Sequence, residues 1–366
     1  MRRRPSGVKP VIRLLSIASS FKKLLKPLGC TDTTELVGLV QSAVGTRYKV
    51  AASRAMVEAE EDDARGGRCD DAARVREVNR VFADDRIVAA VALRGGAWLS
   101  RILSDIDFGV LKSRMQPVAI FGFSEISPLL NVAARYRGVR AIHDYCPGFL
   151  LAGMTSYARR CCAELIPAGQ RIPEDVEGFA KTWAEVRFRG EFAAFFADMV
   201  EIIEGRGSAR KVRLELVHGS MRGGGRIRIV GGNLTTIVTL LSSGHRRVLD
   251  PRAKWLLIED VRETPDRIDR LLSHFSLSGR LVRYGGIIVG AFTTSEADYT
   301  MAAVECVRRH LRGTSTPILI TRDVGHCWPL SPVPINLPVE VRAAPGGQGS
   351  SFELVVPWDR IGVVGR

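Results

Sequence analysis

Ser124 is the residue of this sequence best placed to act as a nucleophile. It follows the apolar, β-prone run Val118–Phe121, and residues 127–134 after it have the character of a helix, with Ser127 as a predicted N-cap. A serine in a sharp turn between a strand and a helix exposes its hydroxyl, and the helix start supplies free N–H groups for an oxyanion. Because Ile126 stands where the usual G-x-S-x-G turn has its second glycine, an ordinary strand–turn–helix connection stays an alternative.

Glu259 and His326 are the residues predicted to activate this serine. Each comes after an apolar run with the character of a strand and opens a polar loop. A histidine can take the serine proton near neutral pH, and a carboxylate can hold its correct tautomer. The alternatives are that the carboxylate caps the next helix and that the histidine is an ordinary loop residue. His143 also ends a predicted strand, so it is the main rival for the role of base.

The first part of the chain alternates strands with helices. Strands are predicted at 11–17, 48–52, 86–93, 118–121 and 139–143, and helices at 32–44, 70–82 and 127–134. Such alternation predicts a parallel sheet covered on both faces, which binds ligands at the carboxyl ends of its strands. Ser124 and the Gly95-Gly96 turn both lie at such ends.

The rest of the chain changes character twice. Residues 147–190 contain helical pieces and are interpreted as part of a connecting segment, and from residue 211 onward the chain is strand-rich. Glycines at 219–232 lack the spacing of a phosphate-binding loop, which favours tight turns. We therefore predict an N-terminal α/β domain at 1–150 carrying the serine, a connecting segment at 151–210, and a mixed α/β domain at 211–366 carrying Glu259 and His326.

Composition narrows the classes of protein that this chain can belong to. With 366 residues, 46% hydrophobic and 25% charged, it has an ordinary globular composition. The net charge of +14 is spread along the chain without an aromatic-interleaved block, which favours a solvated arginine-rich surface over a nucleic-acid interface. No apolar run is long enough to span a membrane, and Arg13 interrupts the only N-terminal run that resembles a signal peptide. Seven cysteines without a C-x-x-C pair predict a reduced, cytoplasmic protein.

Several short motifs, in this order, resemble the LD-carboxypeptidase family of serine peptidases, which includes the microcin-immunity peptidases. The resemblance spans about residues 11–337 and rests on the segments 94–96, 122–127, 231–234, 257–261 with 267–270, and 325–326. It implies a triad of Ser124 as nucleophile, Glu259 as orienting residue and His326 as general base. It also implies an oxyanion hole formed by the backbone N–H groups of Glu125 and Gly96.

The resemblance carries further expectations about fold and substrate. The implied fold is an N-terminal domain resembling class I glutamine amidotransferases, joined to a smaller mixed domain, with the site in the cleft. The family uses no metal or organic cofactor, is usually dimeric, and cleaves the L,D bond before the terminal D-alanine of murein tetrapeptides. A sister branch cleaves an amide in peptide-nucleotide antibiotics, and a non-catalytic binding protein on the same fold is a third reading. We expect a small peptide-like substrate, a homodimer, and neither a membrane nor a nucleic-acid partner.

The sequence departs from the family pattern beside the proposed oxyanion glycine. Ala97-Trp98 replaces a family Tyr-Gly pair, Glu125 replaces an aspartate and Ser127 a threonine. The Trp98 ring could fill the substrate pocket or offer it a stacking face, and it could equally turn into the core.

Overall fold

The computed structural model of the chain describes residues 8–62, 64, 66–163, 174–207, 211–221, 224–294, 297–345 and 349–364. Its strands are β1 (Val11–Leu15), β2 (Lys49–Ala52), β3 (Ile87–Ala92), β4 (Val118–Phe121), β5 (Val139–His143), β6 (Val212–His218), β7 (Gly224–Asn233), β8 (Trp255–Val261), β9 (Ile287–Thr293), β10 (Ile318–Gly325), β11 (Val333–Ile335), β12 (Pro338–Ala343) and β13 (Ser351–Val355). Its α-helices are α1 (Lys22–Leu25), α2 (Thr33–Val44), α3 (Arg54–Val57), α4 (Asp71–Ala83), α5 (Ser127–Ala133), α6 (Leu150–Ala163), α7 (Glu174–Ile203), α8 (Leu234–Val238), α9 (Pro265–Leu277), α10 (Thr300–His310) and α11 (Trp358–Ile361). Short 3₁₀ helices lie at Lys26–Leu28, Ser100–Asp105, Phe108–Lys112, Ser124–Ile126, Pro147–Phe149, Thr239–Ser242, Arg246–Leu249 and Leu281–Arg283.

The first sheet carries the strand that precedes Ser124. Its order is β11-β5-β4-β3-β1-β2, and the five strands β1 to β5 are parallel. Every residue of β3 and of β4 is buried, as expected for central strands of a parallel sheet that is covered on both faces. The predicted parallel sheet is confirmed, while the likeness to glutamine amidotransferases stays a prediction.

The second sheet is a closed barrel with the order β10-β6-β13-β12-β7-β8-β9. Strands β7 to β10 run parallel to one another, and β6, β12 and β13 add antiparallel pairings. After β10 the chain returns to the first sheet, where β11 pairs antiparallel with β5 and sets Val333 opposite His143. The two sheets are therefore linked through the chain, because β10 and β12 belong to the barrel and β11, between them in the sequence, belongs to the first sheet.

Helices α6 and α7 occupy the stretch predicted as a connecting segment. On α7, the rings of Phe188, Phe192 and Phe196 are fully buried in the same hydrophobic cluster as the first sheet. Phe192 lies 6.0 Å from the ring of Phe21, between centroids. This helix pair contributes to the core beside the first sheet, and the division into residues 1–150, 151–210 and 211–366 stays a prediction. Nowhere in the described ranges is a helix both long enough and apolar enough to cross a membrane.

A pair of hydrogen bonds locks α5 of the first sheet region to β7 of the barrel. The Asn131 side chain donates to the Gly231 carbonyl at 2.8 Å and accepts from the Gly231 N–H at 2.9 Å. The prediction of tight turns is wrong for Gly231 and Gly232, which both lie inside β7. At Gly232, φ is +130°, and an added Cβ would lie 2.7 Å from the His143 ring, so only glycine lets the barrel strand approach so closely.

Candidate functional site

Ser124 lies at the sharp turn between β4 and α5. Its φ is +58°, a conformation that non-glycine residues adopt rarely and that is typical of strained functional turns. The Ser124 carbonyl accepts hydrogen bonds from Ser127 Oγ at 2.7 Å and from Thr236 Oγ1 of the barrel at 3.4 Å. The Ser124 Oγ itself makes no hydrogen bond to any residue that the structure describes. The backbone is therefore held from both sides, and the hydroxyl remains available.

The prediction that Ser127 caps α5 is wrong. The helix begins at Ser127 with Ile126 in the N-cap position and without a side-chain cap. Because the Ser124–Ile126 3₁₀ turn runs directly into α5, Ser127 lies inside the helical region and its hydroxyl points back to the turn. There it donates to the Ser124 carbonyl and accepts from the Asn233 N–H at 3.2 Å. Ser127 thus fastens the serine turn to β7.

The Gly95-Gly96 turn lies against Ser124. A Cβ at Gly95 would lie 2.9 Å from the Ser124 Cβ and 3.3 Å from its Oγ, so the two backbones meet closely. Neither the Gly96 N–H nor the Glu125 N–H donates a hydrogen bond within the described part of the chain. Two free N–H groups beside a serine hydroxyl are what an oxyanion hole requires.

The Glu125 side chain joins this turn to the next loop. It accepts a hydrogen bond from the Ser100 N–H at 2.9 Å. Burial of the Glu125 carboxyl raises its pKa, although the Ser100 hydrogen bonds oppose that shift. Glu125, which stands where the family has aspartate, therefore links the serine turn to the segment that begins at Ser100.

His326 and Glu259 form a buried hydrogen-bonded pair. Nδ1 of His326 lies 2.8 Å from Oε2 of Glu259, with the side chains 7% and 0% exposed. The His326 ring is held by Phe123 at 4.3 Å and by Phe149 at 5.1 Å, between ring centroids. When Nδ1–H donates to the carboxylate, Nε2 is left as the acceptor that a general base requires.

Glycines on the neighbouring strands create the space for Glu259. A Cβ at Gly290 of β9 would lie 3.0 Å from the Glu259 Cβ, and one at Gly325 of β10 would lie 3.1 Å away. The strand predicted over Trp255–Ile258 continues to Val261, so Glu259 lies within β8 and not after it. Asp260, the next residue, accepts from the Thr235 N–H at 2.8 Å and serves the start of α8. The capping alternative raised for Glu259 concerned the next helix, α9, which begins after Thr264 without a side-chain cap, so Glu259 does not cap it.

His143, the rival base, lies on the other side of Glu259. Its Nε2 is 3.8 Å from Oε1 of Glu259, and neither ring nitrogen has a hydrogen-bond partner in the described part of the chain. The side chain is 0% exposed. Burial, together with the charge of His326, lowers the pKa of His143 to about 3. A neutral, enclosed imidazole suits a packing or positioning role better than proton exchange with a substrate.

Asp144 is the site residue that sequence reasoning missed. Its carboxylate accepts from the Gly325 N–H and from the Ser331 N–H, each at 3.2 Å, and so brackets the loop that carries His326. Burial, and next the nearby Glu259, raise the pKa of Asp144 well above its ordinary value. The only signal in the sequence was an acidic residue directly after the predicted strand at 139–143.

The Trp98 ring is seated on Gly67, where an added Cβ would lie 2.2 Å from two ring atoms. The residue has φ of +71°, and its carbonyl accepts from Arg74 at 2.9 Å. The Trp98 ring therefore packs against the Gly67 backbone, and its role toward a substrate stays a prediction.

Among the described residues, no group of three or more His, Cys, Asp or Glu is arranged so that it could hold a metal ion. All seven cysteines are free thiols.

Comparisons with known proteins agree with the motifs. Residues 12–144 match the family model of the LD-carboxypeptidase N-terminal domain, and residues 226–341 match that of the C-terminal domain. A Bacillus subtilis (strain 168) protein named "Probable murein peptide carboxypeptidase" is 24% identical over 274 residues, which is 74% of each chain.

Solved structures show the same fold at lower identity. The microcin C7 self-immunity protein MccF is similar with a TM-score of 0.62 and 16% identity, covering 96% of this chain and 97% of its own. The muramoyltetrapeptide carboxypeptidase from Oxalobacter formigenes has a TM-score of 0.59 and 16% identity, covering 94% and 97%. With both halves of the family matched in order along one chain, this protein belongs to the LD-carboxypeptidase family.

Proposed function

We propose that this chain is a serine hydrolase that cleaves a peptide or amide bond through an acyl-enzyme, with Ser124, His326 and Glu259 as its triad. The observation that carries the proposal is the buried 2.8 Å hydrogen bond between His326 and Glu259. It occurs together with Ser124 in a left-handed turn, whose hydroxyl makes no hydrogen bond to the residues that the structure describes. These are the parts that a serine mechanism needs.

In the proposed reaction, Nε2 of His326 takes the proton of Ser124 as Oγ attacks the substrate carbonyl carbon. The negative charge passes to the carbonyl oxygen, which accepts hydrogen bonds from the N–H groups of Glu125 and Gly96. Glu259 stabilises the imidazolium, which then protonates the leaving amine as the C–N bond breaks. Water, deprotonated by the same histidine, attacks the ester and releases Ser124.

The proposed substrate is the L,D bond before the terminal D-alanine of a murein tetrapeptide. Support comes from the family and from two similar proteins whose names specify murein or muramoyl-peptide carboxypeptidases. We also propose that the enzyme works without a metal or organic cofactor, as a cytoplasmic homodimer.

An alternative substrate is an aminoacyl- or peptidyl-nucleotide amide. MccF has been solved with glutamyl sulfamoyl guanosine, at 16% identity to this chain. Here Trp328, two residues after His326, lies 5.0 Å from the ring of Tyr157 and 6.1 Å from that of Trp183. A cluster of aromatic rings that begins two residues after the proposed base in the sequence favours a substrate that carries an aromatic ring.

The test combines active-site labelling with a substrate panel. A fluorophosphonate probe should label the wild-type protein on Ser124 and leave Ser124→Ala unlabelled. An L,D-tetrapeptide and an aminoacyl-nucleotide amide should then be compared by kcat/KM, with Ser124→Ala reducing turnover by several powers of ten. Absence of labelling, or normal turnover in Ser124→Ala, would instead identify a non-catalytic binding protein or a different nucleophile.

A further inference from the structure

A concave site lined by arginine lies away from the triad. The cavity has a volume of about 660 Å³, within the range of small-molecule sites, and neither Ser124, Glu259 nor His326 lines it. It is enclosed by the loop before β5, by β7 and β12 of the barrel, and by the C-terminal α11. Because Arg140 and His143 lie near opposite ends of β5, this cavity opens at the edge of the first sheet opposite the triad.

The positive charge in this cavity is compensated only in part, because Glu340 lies opposite Arg226 across β12 and β7. Six arginines that line it have no acidic partner within ion-pair distance in the described part of the chain: Arg135, Arg137, Arg140, Arg226, Arg228 and Arg360. Two acidic residues share the lining, and one of them, Glu340, is already paired with Arg342 at 2.7 Å. Like charges gathered in this way repel one another unless an anion lies between them.

The Arg140 guanidinium has more hydrogen-bond donors than partners. Its Nη1 donates to the carbonyls of Arg137 at 2.8 Å and Val139 at 3.3 Å, while its buried Nε has no partner. Burial lowers the pKa of this guanidinium. At the margin of the cluster, burial together with the charges of Arg135 and Arg228 lowers the pKa of Lys254, against the opposing effect of Asp250. An unmet donor beside crowded cations marks a place where an anion would be stabilised.

We propose that this cavity binds a small molecule carrying two or more phosphate groups. Arginine forks bind phosphate oxygens with paired hydrogen bonds, and several phosphates are needed to match this many cations. The arginines converge on a concave cavity from three parts of the fold instead of forming an extended stripe, which favours a compact ligand over a nucleic-acid backbone. The triad does not explain the net charge of +14. The cavity arginines account for part of that charge.

The test is calorimetric titration of the full chain with inorganic tripolyphosphate, ATP and inorganic phosphate at low salt. We expect one binding event per chain for tripolyphosphate or ATP, and single phosphate should bind at least roughly tenfold more weakly because it makes fewer charge-assisted hydrogen bonds. Arg135→Glu/Arg228→Glu should weaken tripolyphosphate binding by roughly tenfold or more. A second double variant, Arg137→Gln/Arg226→Gln, adds no negative charge and therefore disturbs the fold less. It should also weaken tripolyphosphate binding.

The matched control is Arg283→Glu/Arg312→Glu, which makes the same charge change at two exposed arginines outside the cavity and without ion pairs in the described chain. It should bind tripolyphosphate like the wild type. Equal weakening by cavity and control variants would overturn the proposal, because it would show a general charge effect. So would the absence of wild-type binding at millimolar ligand, or tighter, arginine-dependent binding of a DNA duplex or of phosphatidylglycerol vesicles than of tripolyphosphate.

Discussion

The carboxylate of Glu259 lies between two imidazoles and uses only one of its oxygens. Oε2 lies 2.8 Å from Nδ1 of His326, whereas Oε1 lies 3.8 Å from Nε2 of His143 and has no hydrogen-bond partner in the described residues. The two histidines are therefore not equivalent. One is aligned by the carboxylate beside the serine turn, and the other closes the space behind it.

The first prediction separates the two histidines by their effects on turnover. His326→Ala should reduce kcat by several powers of ten, as removal of a triad base does, and Glu259→Gln should also lower it strongly. His143→Ala should retain most of the activity, with at most a loss of about tenfold from a less well-held Glu259. The measurement is kcat and KM on the substrate that the panel identifies. A larger loss in His143→Ala than in His326→Ala would contradict the assigned base.

The second prediction concerns stability at acid pH. The pKa of His143 is about 3 in the folded protein against an ordinary value of 6.5, so between these values the unfolded chain binds the extra proton. His143 therefore contributes fully to the free energy of unfolding above pH 6.5. That contribution is lost as the pH falls toward 3. One such group gives a slope of about 1.4 kcal/mol per pH unit.

The measurement is urea unfolding of the wild type and of His143→Asn between pH 4.5 and pH 7, about the range in which an ordinary histidine titrates. Glu259, Asp144 and His326 face the same cluster and are the same residues in both proteins, so the difference between the curves isolates the contribution of His143. The free energy of unfolding should fall less steeply with acid in His143→Asn. Parallel curves would show that His143 is not held neutral by the fold.

The third prediction tests the close approach of β7 to the site. Gly232→Ala places a Cβ 2.7 Å from the His143 ring and 2.9 Å from Ser127 Oγ, at a φ of +130°. It should destabilise the protein by about 1–3 kcal/mol and lower kcat. Gly38→Ala is the control, because Gly38 lies within helix α2 with no atom within 4 Å of an added Cβ. That change should be neutral or stabilising by roughly 0.5–1 kcal/mol, and similar losses in both variants would contradict the packing argument.

Local signals predicted most of the elements that position the site. The apolar run Val118–Phe121 is strand β4 as predicted, and the serine turn follows it. Asp32 caps α2 by accepting from the N–H groups of Thr34 and Glu35, in agreement with a pattern visible in the sequence. These features depend on residues a few positions apart, which is the range over which periodicity and capping act.

Contacts between distant segments could not be predicted in this way. Asp144 meets the His326 loop across about 180 residues, and Gly290 matters because the Val324 carbonyl and Glu259 lie against it in the barrel. Strand β11 was missed because it is three residues long and pairs with β5, about 190 residues earlier in the chain. The capping role given to Ser127 was wrong because a 3₁₀ turn continues into α5, and a hydroxyl bond to Ser124 replaces the cap.

The last prediction concerns Trp98, where the family pattern has glycine. Its positive φ is a conformation that glycine adopts without strain, and its ring is seated on Gly67. We expect the native protein to be a poor enzyme for the ordinary tetrapeptide, because a large ring stands two residues after the proposed oxyanion glycine, where the family has no side chain. Trp98→Gly should then raise kcat/KM for the tetrapeptide by about tenfold, equivalent to ~1.4 kcal/mol of transition-state stabilisation.

The nucleotide amide should respond to Trp98→Gly in the opposite direction if the ring supplies a stacking face, because that contact would be lost. Ala97→Gly is the matched control, since it alters the neighbouring residue and keeps the ring, and it should change neither value by more than about twofold. Both substrates should be measured for the wild type and for the two variants. Efficient tetrapeptide cleavage by the native protein, unchanged in Trp98→Gly, would show that the ring's contact with Gly67 is purely structural and that the pocket keeps the family shape.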